Sequence, residues 1–241
     1  MYNCCIELCF YVENRWFKQC FCKIKIPRKV LNDMIYSRLE SLRYLEDKGY
    51  IIDYEKMINS LKLLEVKNKE MFEHSVRVAK YSEILAREFF CDSEKIDCIW
   101  ISALFHDIGK VLVPNYILRN TDSLSEDEFE IIKKHSYDGY KIAKGYLKKE
   151  LAFPALEHHE RLSGAGYPFS KNKLSLETRI VAIIDTFDAM TSERVYQKSL
   201  SFKEAIGKLE DLAENKKYYD DEVFKKLKEL VEVEVIEATW M

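Results

Sequence analysis

The chain has 241 residues, 47% of them apolar and 33% charged, with a net charge of −3. Such a length and balance suit one good core, or one core plus a small accessory unit, and exclude a disordered chain. Without a basic excess, bulk nucleic-acid binding is disfavoured, although local cations can still meet a small phosphate ligand.

Glu7 interrupts the first apolar run, so the start does not read as an export signal. No apolar stretch approaches the roughly 20 residues of a membrane span. The seven cysteines are an odd number, and reduced thiols in the cytoplasm are the expected state. Five of them (Cys4, Cys5, Cys9, Cys20, Cys22) precede residue 23 and read as small buried side chains rather than a metal cluster.

Residues 4–12 and 15–26 are rich in Cys, Ile, Val, Phe and Tyr and predict a hairpin. Pro27 opens a helical pattern that runs through Val30, Leu31, Met34, Ile35, Leu39 and Leu42 to Lys48-Gly49. The change of texture after this unit places a boundary near residue 55, giving a small N-terminal α+β accessory unit (1–55) and a helical domain (56–241). From Glu55 onward, with few glycines and prolines, helix follows helix. Met71, His74, Val78, Tyr81, Leu85 and Phe89 form one core-facing stripe. Ser93 is a cap candidate for the helix that leads into Phe105-His106-Asp107-Ile108-Gly109-Lys110. Ser125 with Glu128, and Ser201 with Glu204, make two capping boxes, and Gly139 predicts a bend or a break. Ile180–Met190 reads as a buried helix carrying Asp185 and Asp188, another helix covers about 221–230, and Val231–Val235 alternates like a short strand.

The candidate chemistry uses all five histidines of the chain: His74, His106, His135, His158 and His159. Carboxylates join them. Asp107 adjoins His106, Glu70 lies one helical turn before His74, and Asp185 falls in an apolar run where a bare charge would be costly. Eight imidazole and carboxylate groups exceed the four ligands of a closed zinc site. They suit two or three octahedral ions of the iron or manganese type, with positions left for water and substrate.

The segments His106-Asp107-x-Gly-Lys110, His135, His158-His159-Glu160, Gly164-x-Gly-Tyr-Pro168 and Asp185-x-x-Asp188-Ala-Met-Thr-Ser192-x-Arg194 resemble the HD-GYP family of bacterial phosphodiesterases. The resemblance covers about residues 60–225. It implies a mostly α, HD-superfamily helical bundle and a metal-dependent phosphodiesterase that hydrolyses cyclic di-GMP to the linear dinucleotide and, with a third metal, to GMP. Glu70 resembles the variant that holds a third metal. Two positions depart from the family pattern: Ser163 precedes Gly164 where Asp is usual, and Gln197 follows Arg194-Val-Tyr where Lys is usual, with Lys198 next in the chain.

On this reading Asp107 bridges the ions, and a metal-bridging hydroxide attacks phosphorus. Lys110 neutralises developing charge, and Arg194, Lys198 and the Gly166-Tyr167-Pro168 loop contact the substrate. That loop is also the expected surface for a protein partner, and a homodimer is compatible with the chain. Two alternatives stay open: hydrolysis of another cyclic dinucleotide or nucleotide, and a non-catalytic module that senses the nucleotide or docks on a partner.

Overall fold

A computed structural model of the protein describes residues 28–120, 123–192 and 199–233. The hairpin expected at residues 4–26, Arg194, Lys198 and the end of the tail lie outside these residues.

The described chain is a helical bundle, as the sequence predicts. Helices α1 (Arg28–Ser41) and α2 (Tyr44–Asp47) lead into the pair α3 (Tyr54–Lys67) and α4 (Lys69–Ala86). Next come α5 (Ser93–Leu104), a 3-10 turn (Ile108–Leu112), α6 (Asn115–Leu118), α7 (Glu126–Ala143) and α8 (Lys149–Glu157). Helices α9 (Leu176–Thr191), α10 (Phe202–Glu210) and α11 (Asp221–Glu232) complete it, with a π turn at Asp211–Asn215 after α10. Among the described residues the sheet-type pairing is one antiparallel bridge, Ile51 with Leu147, which laces the α2–α3 connection onto the α7–α8 corner.

Local chemistry explains the boundaries. Asn68 ends α3 and starts α4, where its side chain accepts from the Met71 amide at 3.1 Å. Both predicted capping boxes form, at Ser125/Glu128 and Ser201/Glu204. The cap of α5 is Asp92 rather than Ser93, its carboxylate accepting from the Glu94 amide at 3.0 Å. Val231 and Glu232 continue α11 instead of forming a strand, because Val223, Leu227, Leu230 and Val231 give the helix a buried face.

One core joins these elements. It runs from Leu39, Leu42 and Leu45 through Phe72, Tyr81 and Leu104 to Ile183, Phe187 and Leu227. Helix α5 ends at Leu104, so the His-Asp pair sits on the turn after it rather than within it. Gly139 does not break α7, which runs through it from Glu126 to Ala143, and it serves a close contact. A Cβ on Gly109 would stand 2.0 Å from the His135 carbonyl oxygen and 2.5 Å from the Gly139 nitrogen. The turn and α7 therefore meet backbone to backbone, which a side chain would prevent.

Gly109→Ala is expected to destabilise the fold by about 1–3 kcal/mol through this overlap. Gly207, on an exposed face of α10 with open space around it, makes the opposite case, since Gly207→Ala should gain about 0.5–1 kcal/mol from reduced chain entropy. Urea midpoints at unchanged m-value would measure both.

Candidate metal centre

Five segments deliver the cluster: α4 brings His74, the turn after α5 brings His106 and Asp107, α7 brings His135, the end of α8 brings His158 and His159, and α9 brings Asp185. Three overlapping groups have ligand atoms close enough for an ion: His74–His106–Asp185, His106–Asp107–His158 and His135–His158–His159. Seven of the eight sequence candidates thus come together. Glu70 is exposed in the first turn of α4 and belongs to none of these groups.

Asp107, 1% exposed, lies at the middle. Its Oδ1 is 3.4 Å from His135 Nε2 and 3.6 Å from His158 Nε2. Its Oδ2 is 3.5 Å from His106 Nε2 and 3.7 Å from His74 Nε2, and accepts from Lys110 Nζ at 2.6 Å. Asp185 Oδ1 is 3.1 Å from His74 Nε2 and 3.6 Å from His106 Nε2.

The outer nitrogens reveal the tautomers. His106 Nδ1 donates to the Ala103 carbonyl at 2.7 Å, His135 Nδ1 to that of Ile132 at 2.6 Å, and His158 Nδ1 to that of Pro154 at 2.8 Å. A carbonyl only accepts, so each Nδ1 carries the proton, and in the neutral ring Nε2 presents a lone pair. The Nε2 atoms of His135 and His158 then face each other at 3.3 Å, beside Asp107 Oδ1. Three acceptors converge with no proton between them. His106 Nε2 and Asp107 Oδ1 are buried without any hydrogen-bond partner. A divalent cation answers this deficit, and the residues fit one.

The electrostatics agree. Burial pushes His135 down to about 3 and His159 well below its usual range, and it lowers His158 too. Burial works against charge on Asp107, yet the Lys110 ammonium bonded to its Oδ2 holds its carboxyl well below the usual range. Asp185 is held low against burial by His74, whose Nε2 stands 3.1 Å from its Oδ1. Neutral imidazoles beside ionised carboxylates are the state a metal requires. His74 differs: burial opposes its charge, but hydrogen bonds to Asp185 and Asp188 outweigh it and raise the ring to about 9.

That second partner is a support the sequence reading left without a role. Asp188 Oδ2 accepts from His74 Nδ1 at 2.7 Å, while Arg77 Nε and Nη2 grip the same carboxylate at 2.6 and 3.0 Å. Arg77 stands three residues after His74 on α4, a spacing that hints at a shared face, but its partner on α9 is 111 positions away. Glu160 is a second such anchor. Its buried carboxylate accepts from the amides of Phe169 (2.7 Å) and Lys171 (2.9 Å), tying the Gly-Tyr-Pro loop to the His-His segment. In that loop Tyr167 stacks on His159 at 4.6 Å, and Gly166 is required because a Cβ would lie 2.4 Å from the His159 carbonyl oxygen. Gly164 adopts φ +80°, a conformation suited to glycine.

His106→Ala should abolish metal uptake while the helical circular-dichroism signal persists, since the apolar faces of α4, α5 and α7 are untouched. Asp188→Asn should weaken metal affinity about 10–100-fold by loosening His74. Elemental analysis and competitive chelation would read the two effects.

A cyclic di-GMP phosphodiesterase of Thermotoga maritima is 34% identical over 185 residues, covering 75% of this chain and 49% of that protein. A 3′3′-cGAMP-specific phosphodiesterase 3 of Vibrio cholerae is 37% identical over 155 residues, covering 62% of this chain and 33% of that protein. The chain thus spans a third to a half of the length of these curated relatives. The HD domain of the L. monocytogenes phosphodiesterase PgpH, solved with cyclic-di-AMP, shares the fold with a TM-score of 0.58 at 22% identity, over 74% of this chain and 96% of that one. A model of the HD domain family matches residues 59–223. On that match the chain belongs to the HD domain family.

Proposed function

We propose that the chain is a metal-dependent phosphodiesterase acting on cyclic di-GMP, with two ions of the iron or manganese type held on either side of Asp107. One observation carries the reading: each oxygen of this buried carboxylate faces a different histidine pair, Oδ1 toward His135 and His158, Oδ2 toward His74 and His106. A mixed imidazole and carboxylate donor set suits iron or manganese better than a thiolate-seeking metal. When bound, a pair of such ions supplies Lewis acidity toward phosphate oxygens and an activated water near neutral pH.

The chain's own groups do the rest. Lys110 Nζ, partly exposed at the mouth of the cluster and bonded to Asp107, places a cation where charge builds on a phosphate. The stacked pair His159–Tyr167 closes one wall. The named activities of the relatives, on cyclic di-GMP and on 3′3′-cGAMP, support a cyclic dinucleotide as substrate. The second of them favours 3′3′-cGAMP as the alternative substrate. Glu70, one turn before His74 on α4, is the carboxylate we assign to any third ion.

Protein loaded with Mn(II) or Fe(II) should convert cyclic di-GMP to the linear dinucleotide, seen by chromatography. Substrate intact after hours would reject catalysis in favour of a sensing or docking role. Lys110→Met should lower kcat about 10²–10³-fold with metal content unchanged. Two ions per chain by elemental analysis match the Asp107 arrangement, and a third would bring Glu70 into the ligand set.

A further inference from the structure

We propose that Phe129, Lys133 and Tyr167 form a purine-binding corner at the edge of the metal centre, and that its ammonium selects guanine over adenine. The inference rests on the cyclic-dinucleotide reading above and specifies how the base is held.

Helix α7 carries Phe129 and Lys133 one turn apart and, further along, His135 into the cluster. Phe129 is 43% exposed, so a large apolar ring stands open beside a polar centre. The Tyr167 ring meets it edge to face, with centroids 6.3 Å apart and planes at 79°. Tyr167 is itself backed by His159 at 4.6 Å and lies 6.5 Å from the ring of His135. Lys133 Nζ sits over both rings, 4.7 Å from the Phe129 centroid and 5.8 Å from that of Tyr167. Its ion pair with Glu130, at 2.6 Å, joins an exposed acid and is screened by water.

A lysine over a single ring is an ordinary surface contact. Here two rings and an ammonium make a corner, and one of the rings leans on a candidate metal ligand. A phosphate held at the centre would leave its own base beside this corner. Aromatic faces stack any base. The ammonium discriminates, because guanine offers two acceptors, O6 and N7, on one edge, whereas adenine sets an amino donor beside N7. The corner therefore accepts cyclic di-GMP and the guanine half of 3′3′-cGAMP, and disfavours cyclic di-AMP.

The test uses the full, Mn(II)-loaded chain with GMP and AMP, which carry one phosphate and one base and no phosphodiester to be cleaved. Calorimetry should show GMP bound about ten-fold more tightly than AMP. Lys133→Met should bring that ratio close to one while AMP affinity changes less than about two-fold, the stacking faces being intact. Phe129→Ala should weaken both nucleotides about five-fold or more, and Phe129→Trp should restore them. Thermal midpoints and metal content of each variant report on folding. A GMP/AMP ratio unmoved by Lys133→Met, or binding unmoved by Phe129→Ala, would overturn the corner. So would metal-loaded protein that binds neither mononucleotide. Hydrolysis of cyclic di-GMP by the unaltered chain is assayed separately. Turnover with an unmoved ratio overturns the corner alone, and no turnover with a ratio that collapses in Lys133→Met overturns catalysis alone.

Discussion

A buried carboxylate among imidazole lone pairs is the constraint around which this molecule is arranged. Asp107 is almost fully enclosed, it is ionised, and one of its oxygens has no hydrogen-bond partner. Three of the surrounding histidines, His106, His135 and His158, have spent their proton on the opposite side, on a main-chain carbonyl. Such an interior is costly for a chain alone. It becomes favourable once positive charge enters, so the fold's architecture and its capacity to bind cations are two aspects of one electrostatic problem. Helices α4, α5, α7, α8 and α9 are held by ordinary apolar packing, and that packing provides the stability against which the polar interior is maintained.

The supports around the centre are graded by how tightly they are held. His74 is gripped through Asp188, which is itself clamped by the two-pronged guanidinium of Arg77 and touched by Ser192 at 3.1 Å. The His-His segment is held by the short helix before it and by Glu160, whose two oxygens reach across to the loop. Glu157, also buried, pairs with Lys171 on the far side of the same loop. Both carboxylates thereby fasten the far flank of the loop, at Phe169 and Lys171, to the His-His segment, and Tyr167 packs on His159.

Much of this was legible in the sequence because it depends on short-range rules. Helical periodicity and two capping boxes located α4, α7, α10 and α11, since these signals span at most a few turns. The histidines could be grouped because so few polar residues interrupt the apolar runs around His106 and Asp185. What escaped depends on partners far apart in the chain. Nothing local to Arg77 announces Asp188, and nothing local to Gly139 announces Gly109, so the close approach at this glycine was not legible. The alternation that begins at Val231 did not outweigh the helical stripe before it, so Val231 and Glu232 continue α11, and Ser93 sat one position beyond a better acceptor. Glu70 shows the limit of spacing arguments. A common face with His74 leaves it, in an exposed first turn, outside the three ligand groups, so its role rests on a third ion.

The contact between Gly109 and Gly139 has a consequence for how accurately the centre is built. Asp107 lies two residues before one glycine and His135 four residues before the other, and no side chain separates the two main chains where they touch. The offset between these two residues is thus governed by covalent geometry and hydrogen-bonded backbone, the stiffest materials a protein has, instead of by rotamers that can hop. Repacking elsewhere in the bundle could tilt helices without spreading this pair, much as a mitred joint keeps its angle while the frame around it flexes.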